Sequence, residues 1–367
     1  RCFWGRGVVS FMRSTSMFNN IFGKFSRDMG VDLGTANTLV YVRDRGIVVN
    51  EPSIVAINTR NDQILAVGEE ARRMVGKTPP HIIASKPLVD GIISDFEVAE
   101  RMLRYFIEKV HRESFSVFPR PQIVIGIPLG VTEVEIKAVE DAALGAGARH
   151  VFLIDQPMAA AIGSRLPIQD ATGTMIVDIG GGTTQIAVIS LGGVVTWRTL
   201  KVAGDVMNNH IVQFARDQFN LLLGERTAEE LKIKIGNAFP AKDVIEAKMR
   251  GRDLITGLPK EVVVTSDQVR EALARSIRQI VEAIKSTIEV TPPELVADIY
   301  ERGIVLTGGS SLLRGMPELI RHEAHIPVQV ADDPLTCVVR GTGMVLENFP
   351  AFRDVLTAST QYARGSR

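Results

Sequence analysis

Apolar and polar positions along this chain switch between two periods. Strict alternation marks strands at two places, where Val40 and Val42 in one and Ile186 and Val188 in the other point to a single face. A short apolar run, Ile123 to Ile127, reads as a buried strand, and Ile304 to Leu306 reads as another. Between these lie stretches with helical spacing. Glu97 to His111 is one; Val131 to Leu144 is a second, opened by a capping box of Thr132 and Glu135. Val269 to Ile288 predicts a long amphipathic helix that ends before Thr291-Pro292-Pro293, because proline cannot continue it. Strands alternating with helices imply an α/β fold with mainly mixed sheets. The chain is expected to divide after about residue 171. A first domain takes 31–171 with a C-terminal return over 333–360, and a second takes 172–332. Insertions are expected over about 52–95 and 210–265, with an extension at 1–30 and a tail at 361–367.

An internal duplication carries the chemistry. Val31-Asp32-Leu33-Gly34-Thr35-Ala36-Asn37-Thr38 matches Val177-Asp178-Ile179-Gly180-Gly181-Gly182-Thr183-Thr184 without a gap. Each reads as a β-hairpin: a strand ending in Asp, a tight turn of small residues, then a strand of period two. Small residues let backbone N–H groups approach an anion, and successive N–H groups in such a turn form a concave phosphate cradle. An Asp just before each turn puts a carboxylate where a divalent cation could bridge to the phosphates; Mg²⁺ typically takes one or two carboxylates plus phosphate oxygens. Two facing hairpins would clamp a triphosphate from both sides. A third turn, Thr307-Gly308-Gly309-Ser310, follows a buried strand and opens a helix, which suits a flat base or an anion held close to backbone. No GxxxxGK[ST] loop occurs. Thr227 with Glu230 reads as a capping box that starts a helix, placing Glu229 and Lys232 on one face.

Composition narrows the field. At 367 residues the chain can build two full cores. Its 42 Lys and Arg balance 42 Asp and Glu, so the whole chain offers no electrostatic case for nucleic acid. No apolar run reaches the roughly 20 residues of a spanning helix. Cys2 and Cys337 have no metal-ligand spacing, which fits a reducing compartment. Residues 1–16 show no clear period and lack a long apolar core and a cleavage site, so a secretory signal is not expected. They read either as an upstream extension or as an alternative reading of the start.

Together these pieces resemble the actin/Hsp70/sugar-kinase ATPase superfamily, and the resemblance to its MreB branch is much closer. It runs from about Met17 to Phe349 and includes DLGTANTLVYV, DGIISDFEVAERML, VDIGGGTTQIAVISLGGVV, GERTAEELKIKIG and GIVLTGGSSLLRG. The resemblance implies an actin-like ATPase fold, two domains of duplicated ribonuclease-H-like topology around a nucleotide cleft, with ATP and Mg²⁺ as ligands. It implies that Asp32 and Asp178 organise the metal and its waters. Gly34, Thr35, Ala36 and Asn37, with Gly180, Gly181, Gly182 and Thr183, would hold the phosphates. Glu229 and Lys232 would contact ribose and base, Gly308, Gly309 and Ser310 the adenosine, and Thr183 or Thr184 would help position the attacking water.

The chain departs from that pattern at the hydrolytic position. MreB-like proteins usually read Glu-Pro-Met-Ala-Ala where this chain has Gln156-Pro157-Met158-Ala159-Ala160. Gln156 can orient a water but cannot accept its proton. Gln185 also stands where the family usually has Glu, and Asn208 and Asn209 where acidic residues are common. One reading is a defective ATPase with longer-lived filaments; the other is unimpaired turnover, since phosphoryl transfer depends mainly on positioning and actin carries Gln at this place. Retained but slow hydrolysis is the expectation.

Membrane contact is expected without a span. Met17, Phe18, Ile21, Phe22 and Phe25 share one helical face beside Lys24 and Arg27, a pattern that can lie among lipid headgroups. Phe115, Val117 and Phe118 form a second apolar candidate in a loop. The resemblance implies a homopolymer of paired protofilaments on the inner face of the plasma membrane. It would be cytoplasmic and peripheral, working with the cell-wall elongation machinery and membrane-anchored adaptors to determine cell shape. The alternatives are an actin-like filament for plasmid segregation or organelle alignment and, further off, a small-molecule kinase. A kinase needs a catalytic base facing an acceptor alcohol, which Gln156 does not supply.

Overall fold

The computed structural model describes residues 27–112 and 120–356. The first half begins with strands β1 (Met29–Leu33), β2 (Asn37–Val42) and β3 (Gly46–Pro52). A small insert follows, of β4 (Val55–Asn58), β5 (Gln63–Val67), helix α1 (Glu69–Met74) and β6 (Ile82–Ser85), with the short pair β7 (Leu88–Val89) and β8 (Ile92–Ile93). Helix α2 (Phe96–His111), β9 (Gln122–Ile127), α3 (Glu133–Gly145), β10 (His150–Asp155) and α4 (Gln156–Gly163) complete it. The second half runs β11 (Thr174–Ile179), β12 (Thr184–Ser190), β13 (Gly193–Leu200), α5 (Gly204–Phe219), β14 (Leu221–Leu222) and α6 (Glu225–Ile235). It continues with β15 (Glu246–Asp253), β16 (Pro259–Thr265), α7 (Ser266–Glu289), α8 (Pro293–Arg302), β17 (Ile304–Thr307), α9 (Met316–Ala324) and β18 (Val328–Val330). Helix α10 (Cys337–Glu347) then packs back on β1, β2, β9 and α4 of the first half.

The duplication extends to whole sheets. One is ordered β10-β9-β1-β2-β3 and the other β18-β17-β11-β12-β13. In each, the hairpin strands are antiparallel and the next two strands run parallel to the first. Both hairpins form in the expected register, with Leu33 opposite Thr38 and Ile179 opposite Thr184, so each turn comprises the four residues between. Strand period two then divides the side chains among clusters. Ile123 and Ile125 join Met29, Val31 and Phe106 in the first core, whereas Val124 faces the other way. Val177 and Ile179 join Met207, Leu273 and Ile280 in the second, and Ile176 faces the other way. Val124 and Ile176 meet in a third cluster with Ala159, Ala160, Ala187 and Val338, which joins the two sheets.

The two helices of that joint touch backbone to backbone. A Cβ on Gly163 would lie 1.9 Å from the Cys337 carbonyl oxygen, and one on Gly341 would lie 1.8 Å from that of Ala159. Only glycine permits this approach of α4 and α10.

Most elements fall where the pattern puts them, with three differences. The α3 capping box of Thr132 and Glu135 forms as expected. Helix α7 begins three residues before Val269 because Thr265 and Gln268 make a capping box of their own. Thr227 and Glu230 do not cap a helix: α6 starts at Glu225 after extended Gly224, and Glu230 pairs with Arg226 one turn away. After Thr307-Gly308 the chain makes one 3₁₀ turn, Gly309–Leu312, and no α-helix starts until Met316. Met17, Phe18, Ile21, Phe22, Phe25, Phe115, Val117 and Phe118 lie outside the described residues. Among the described residues, no helix is long and apolar enough to cross a membrane.

The glycine contact gives a direct test. Gly341→Ala forces α10 off α4, and overpacking of this kind costs roughly 1–3 kcal/mol or more. Urea unfolding should show a midpoint well below wild type, and an unchanged midpoint would refute the close crossing.

Candidate nucleotide-binding cleft

A cavity of about 460 Å³ opens between the two sheets, and both hairpin turns and the third glycine turn line it. The hairpins meet there. A Cβ on Gly181 would sit 2.7 Å from the Ala36 Cβ, and one on Gly182 would sit 2.4 Å from the Thr35 Oγ1. Side chains larger than hydrogen at these positions would push the halves apart. The turn carbonyls are bound from behind. The Ser53 hydroxyl donates to Gly34 O at 2.6 Å and its N–H to Ala36 O at 3.0 Å. Ser310 Oγ donates to Gly180 O at 2.9 Å, the Gly204 N–H to the same oxygen at 3.1 Å, and the Asp205 N–H to Gly181 O at 2.8 Å. Held this way, the loops need no ligand to keep their shape.

Asp32 and Asp178 stand at the base of the two turns, both lining the cavity. Burial pushes the Asp32 carboxyl up to about 7, reinforced by the charge of Asp178 and opposed by a hydrogen bond from Gln156. Burial likewise raises Asp178 to about 6, while the Thr307 hydroxyl, donating at 2.9 Å, works against the shift. Two shielded carboxylates this close lack a countercharge. Among the described residues no group of three or more His, Cys, Asp or Glu could hold a metal alone. The pair therefore fits a divalent cation that takes its remaining ligands from phosphate and water. Gly308 adopts φ +80° beside them; a Cβ there would come within 2.8 Å of Asp178 Oδ1 and 2.4 Å of Ile179 O.

Most of the sequence-read residues converge. Gly34, Thr35, Ala36, Asn37, Gly180, Gly181, Gly182 and Thr183 border the cavity with Gln156, Glu229, Lys232, Gly308, Gly309 and Ser310. Thr184 does not: it is fully buried in β12, and its hydroxyl donates to Val202 O at 2.7 Å. Of the two threonines, only Thr183 faces the cleft. Lys232 donates to Gly204 O at 2.8 Å, and burial lowers its pKa. Glu229 is held at 3.3 Å by Arg72 of α1, which reaches across the cleft mouth. Lys86 makes a second crossing, 2.8 Å from Glu225 and 3.6 Å from Asp205. Arg72 and Asp205 line the cavity, yet no spacing in the sequence pointed to them.

Gln156 is the first residue of α4, with its side chain buried. Its Nε2 lies 3.5 Å from Asp32 Oδ1, and its Oε1 accepts from Gln185 Nε2. Gln185 in turn accepts the Leu129 N–H at 2.9 Å.

Two sheets of one topology, hairpin turns abutting across a shared cleft and a helix returning to the first half define an actin-like fold. The chain belongs to the MreB/Mbl protein family, whose model matches residues 26–354. It is 49% identical to the cell shape-determining protein Mbl of Bacillus subtilis (strain 168), over 88% of this chain and 97% of the relative. It is also 49% identical to the cell shape-determining protein MreB of Escherichia coli (strain K12), over 90% and 96%. Crystal structures of MreB5 of Spiroplasma citri, one bound to ADP and one to AMPPNP, superpose with a TM-score of 0.85 at 35% identity, covering 90% of this chain and 98% of that one. A MamK double helical filament, 24% identical with a TM-score of 0.75 over 88% and 99%, shares the fold.

The raised carboxyls set a pH dependence for the nucleotide-free protein. An unfolded Asp ionises near 3.8, well before either folded one. Their contribution to stability is therefore full below that value and is lost as pH rises to about 7, the unfolded state shedding its protons first. In urea titrations at about pH 5 and about pH 8, Asp32→Asn should flatten the fall seen in wild type. An equally steep fall in the variant would contradict the assignment.

Proposed function

We propose that this chain binds ATP with Mg²⁺ in the cleft and assembles head to tail into membrane-associated filaments that determine cell shape by organising cell-wall elongation. The observation that carries the reading is the abutment of the two hairpin turns over the paired carboxylates of Asp32 and Asp178. The family membership, the cell-shape names of the relatives and the nucleotide-bound MreB5 structures support it. The division after residue 171, with the return over 333–360, belongs to the same reading: each half supplies one phosphate turn.

In this reading the turns Gly34 to Asn37 and Gly180 to Thr183 hold the phosphates; the Gly180 N–H closes its own turn by donating to Thr183 O at 2.9 Å, and the amides of the residues that follow it face the ligand. Asp32 and Asp178 hold the Mg²⁺, which when bound neutralises the phosphate oxygens and the carboxylates together. Lys232 and Glu229 contact the ribose and base, and Gly308, Gly309 and Ser310 pack against the adenosine. Ribose contact by Glu229 competes with its Arg72 ion pair. Gln156 cannot accept a proton at neutral pH, so hydrolysis is slow, and Thr183 helps place the water. Open head-to-tail contacts of one chain with the next give a filament, because the interface is heterologous and does not close. Such filaments lie in pairs against the cytoplasmic face of the plasma membrane, held by Met17, Phe18, Ile21, Phe22 and Phe25 and by Phe115, Val117 and Phe118. There they meet the cell-wall elongation machinery and membrane-anchored adaptors.

Two experiments test this. The full chain and a truncation lacking residues 1–27 are mixed with Mg-ATP and anionic liposomes and imaged by electron microscopy. Membrane-bound filaments are expected from the full chain, with lipid binding lost on truncation; a protein monomeric in every nucleotide state ends the polymer reading. In a phosphate-release assay, Gln156→Glu should raise the rate about tenfold or more, in keeping with the gain from a positioned general base.

A further inference from the structure

We infer that Gln185 is a positioning residue that fixes which face of the Gln156 amide meets the cleft. The inference rests on the cleft being a nucleotide site, as proposed above, for its effect on turnover, but its geometry does not. It starts from a group whose role cannot change. The backbone N–H of Leu129 can only donate, and it donates to the side-chain oxygen of Gln185 at 2.9 Å. An amide has one acceptor end and one donor end, so the Gln185 NH₂ must be the end that reaches Gln156. That NH₂ can only donate, so Gln156 must accept with its Oε1. The Gln156 NH₂ is then left for the cleft, 3.5 Å from Asp32 Oδ1. One backbone donor thus sets the direction of the whole relay. Gln185 is fully buried in β12, where no water can substitute for either bond.

The anchor of the relay is itself clamped. Thr199 lies opposite Gln185 in the β12–β13 pairing, and its hydroxyl donates to Leu129 O at 2.9 Å. Gln185 takes the N–H of Leu129 while Thr199 supplies its carbonyl, so a cross-strand pair in the second sheet grips one peptide residue beyond β9 of the first. Gly126 makes room for the other end: a Cβ there would lie 3.3 Å from the Gln156 Cγ. Every part of this path is placed to hold the amide in one orientation.

The chemical consequence is specific. In the held orientation Gln156 offers the cleft hydrogen-bond donors, and its only acceptor atom is turned inward and occupied. It can stabilise the Asp32 carboxylate, but it cannot accept a hydrogen bond from a water attacking a phosphate. Release of the amide by removal of Gln185 gives that acceptor back to the cleft.

The test uses the full chain labelled with ¹⁵N-glutamine, the Gln156 side-chain NH₂ signal being assigned by its loss in Gln156→Met. In Gln185→Met that signal should move and broaden as the amide samples both orientations. With Mg-ATP, kcat for phosphate release should rise about threefold or more while KM stays within about twofold, and the same change in a Gln156→Met background should give no rise. An unmoved Gln156 signal, or equal effects of Gln185→Met in both backgrounds, overturns the proposal. If Gln185→Met does not fold, Gln185→Glu retains an acceptor for Leu129. It removes the donor that faces Gln156, so at one fixed pH the Gln156 NH₂ signal should again differ from wild type, and an unmoved signal overturns the proposal. A wild-type chain that fails to bind a fluorescent ATP analogue removes the nucleotide reading but leaves the signal shift as a test of the positioning.

Discussion

The close approach of two turns governs this structure. Gly181 and Gly182 lie so near Ala36 and Thr35 that a single methyl group would not fit between them. That contact brings the ends of β1 and β11 together, and with them Asp32 and Asp178, whose charges then oppose each other away from bulk water. The cost is visible in both raised pKa values. A fold that places two carboxylates this way without a basic partner keeps a permanent demand for positive charge at one point. Three cations around the cleft answer other demands: Lys232 is spent on the Gly204 carbonyl, Arg72 on Glu229, and Lys86 on Glu225 and Asp205.

Behind the turns, the joint between the halves is apolar and tight. Small residues in α4, among them Ala159 and Ala160, lie in a cluster fed by the outward faces of both sheets, and α10 crosses α4 at Gly163 and Gly341. Packing at this density transmits displacement and does not absorb it. Gln156 is the first residue of α4, so the crossing that locks the helix also locks the backbone from which its side chain reaches Asp32. The site is thus rigid at its floor. At its mouth the walls are joined by ion pairs between partly exposed side chains, each worth no more than about 1 kcal/mol. Opening at the mouth is therefore cheap and deformation at the floor is not.

What the sequence made legible follows the range of the interactions involved. The two hairpins could be read because strand alternation, a terminal Asp and a small-residue turn are local signals, and their repetition strengthened the reading. The α3 capping box was legible for the same reason. The Thr227–Glu230 motif misled because Gly224 and Glu225 begin the helix first, and a capping box functions only at a helix end. Thr184 reads from the sequence as a cleft residue beside Thr183, but period two turns neighbours to opposite faces, and Val202 O accepts its hydroxyl. Arg72 and Lys86 could not have been found: their partners lie 157 and 139 residues away along the chain. Gln185 was visible only as an amide where an acid is usual. Its place in a relay depends on Leu129, which a strand-end loop brings near and no spacing encodes.

The amides at 156 and 185 bear on binding as well as on turnover. The cavity wall already carries Asp32, Asp178, Asp205 and Glu229 against Lys232, Arg72 and Arg314. A polyphosphate entering it meets repulsion from every carboxylate that a cation has not neutralised, and the interaction is strong where water is excluded. Neutral side chains at 156 and 185 add nothing to that repulsion, and the relay they form satisfies its inner polar atoms without a charge. A carboxylate at 156 would offer a base but would face Asp32 directly, raising the pKa of both groups by like-charge repulsion and adding a charge that opposes the incoming polyphosphate. On the proposed reading, the chain therefore favours a nucleotide held firmly over one hydrolysed quickly. The direction of the Gln185–Gln156 hydrogen bond is the structural element that enforces the choice.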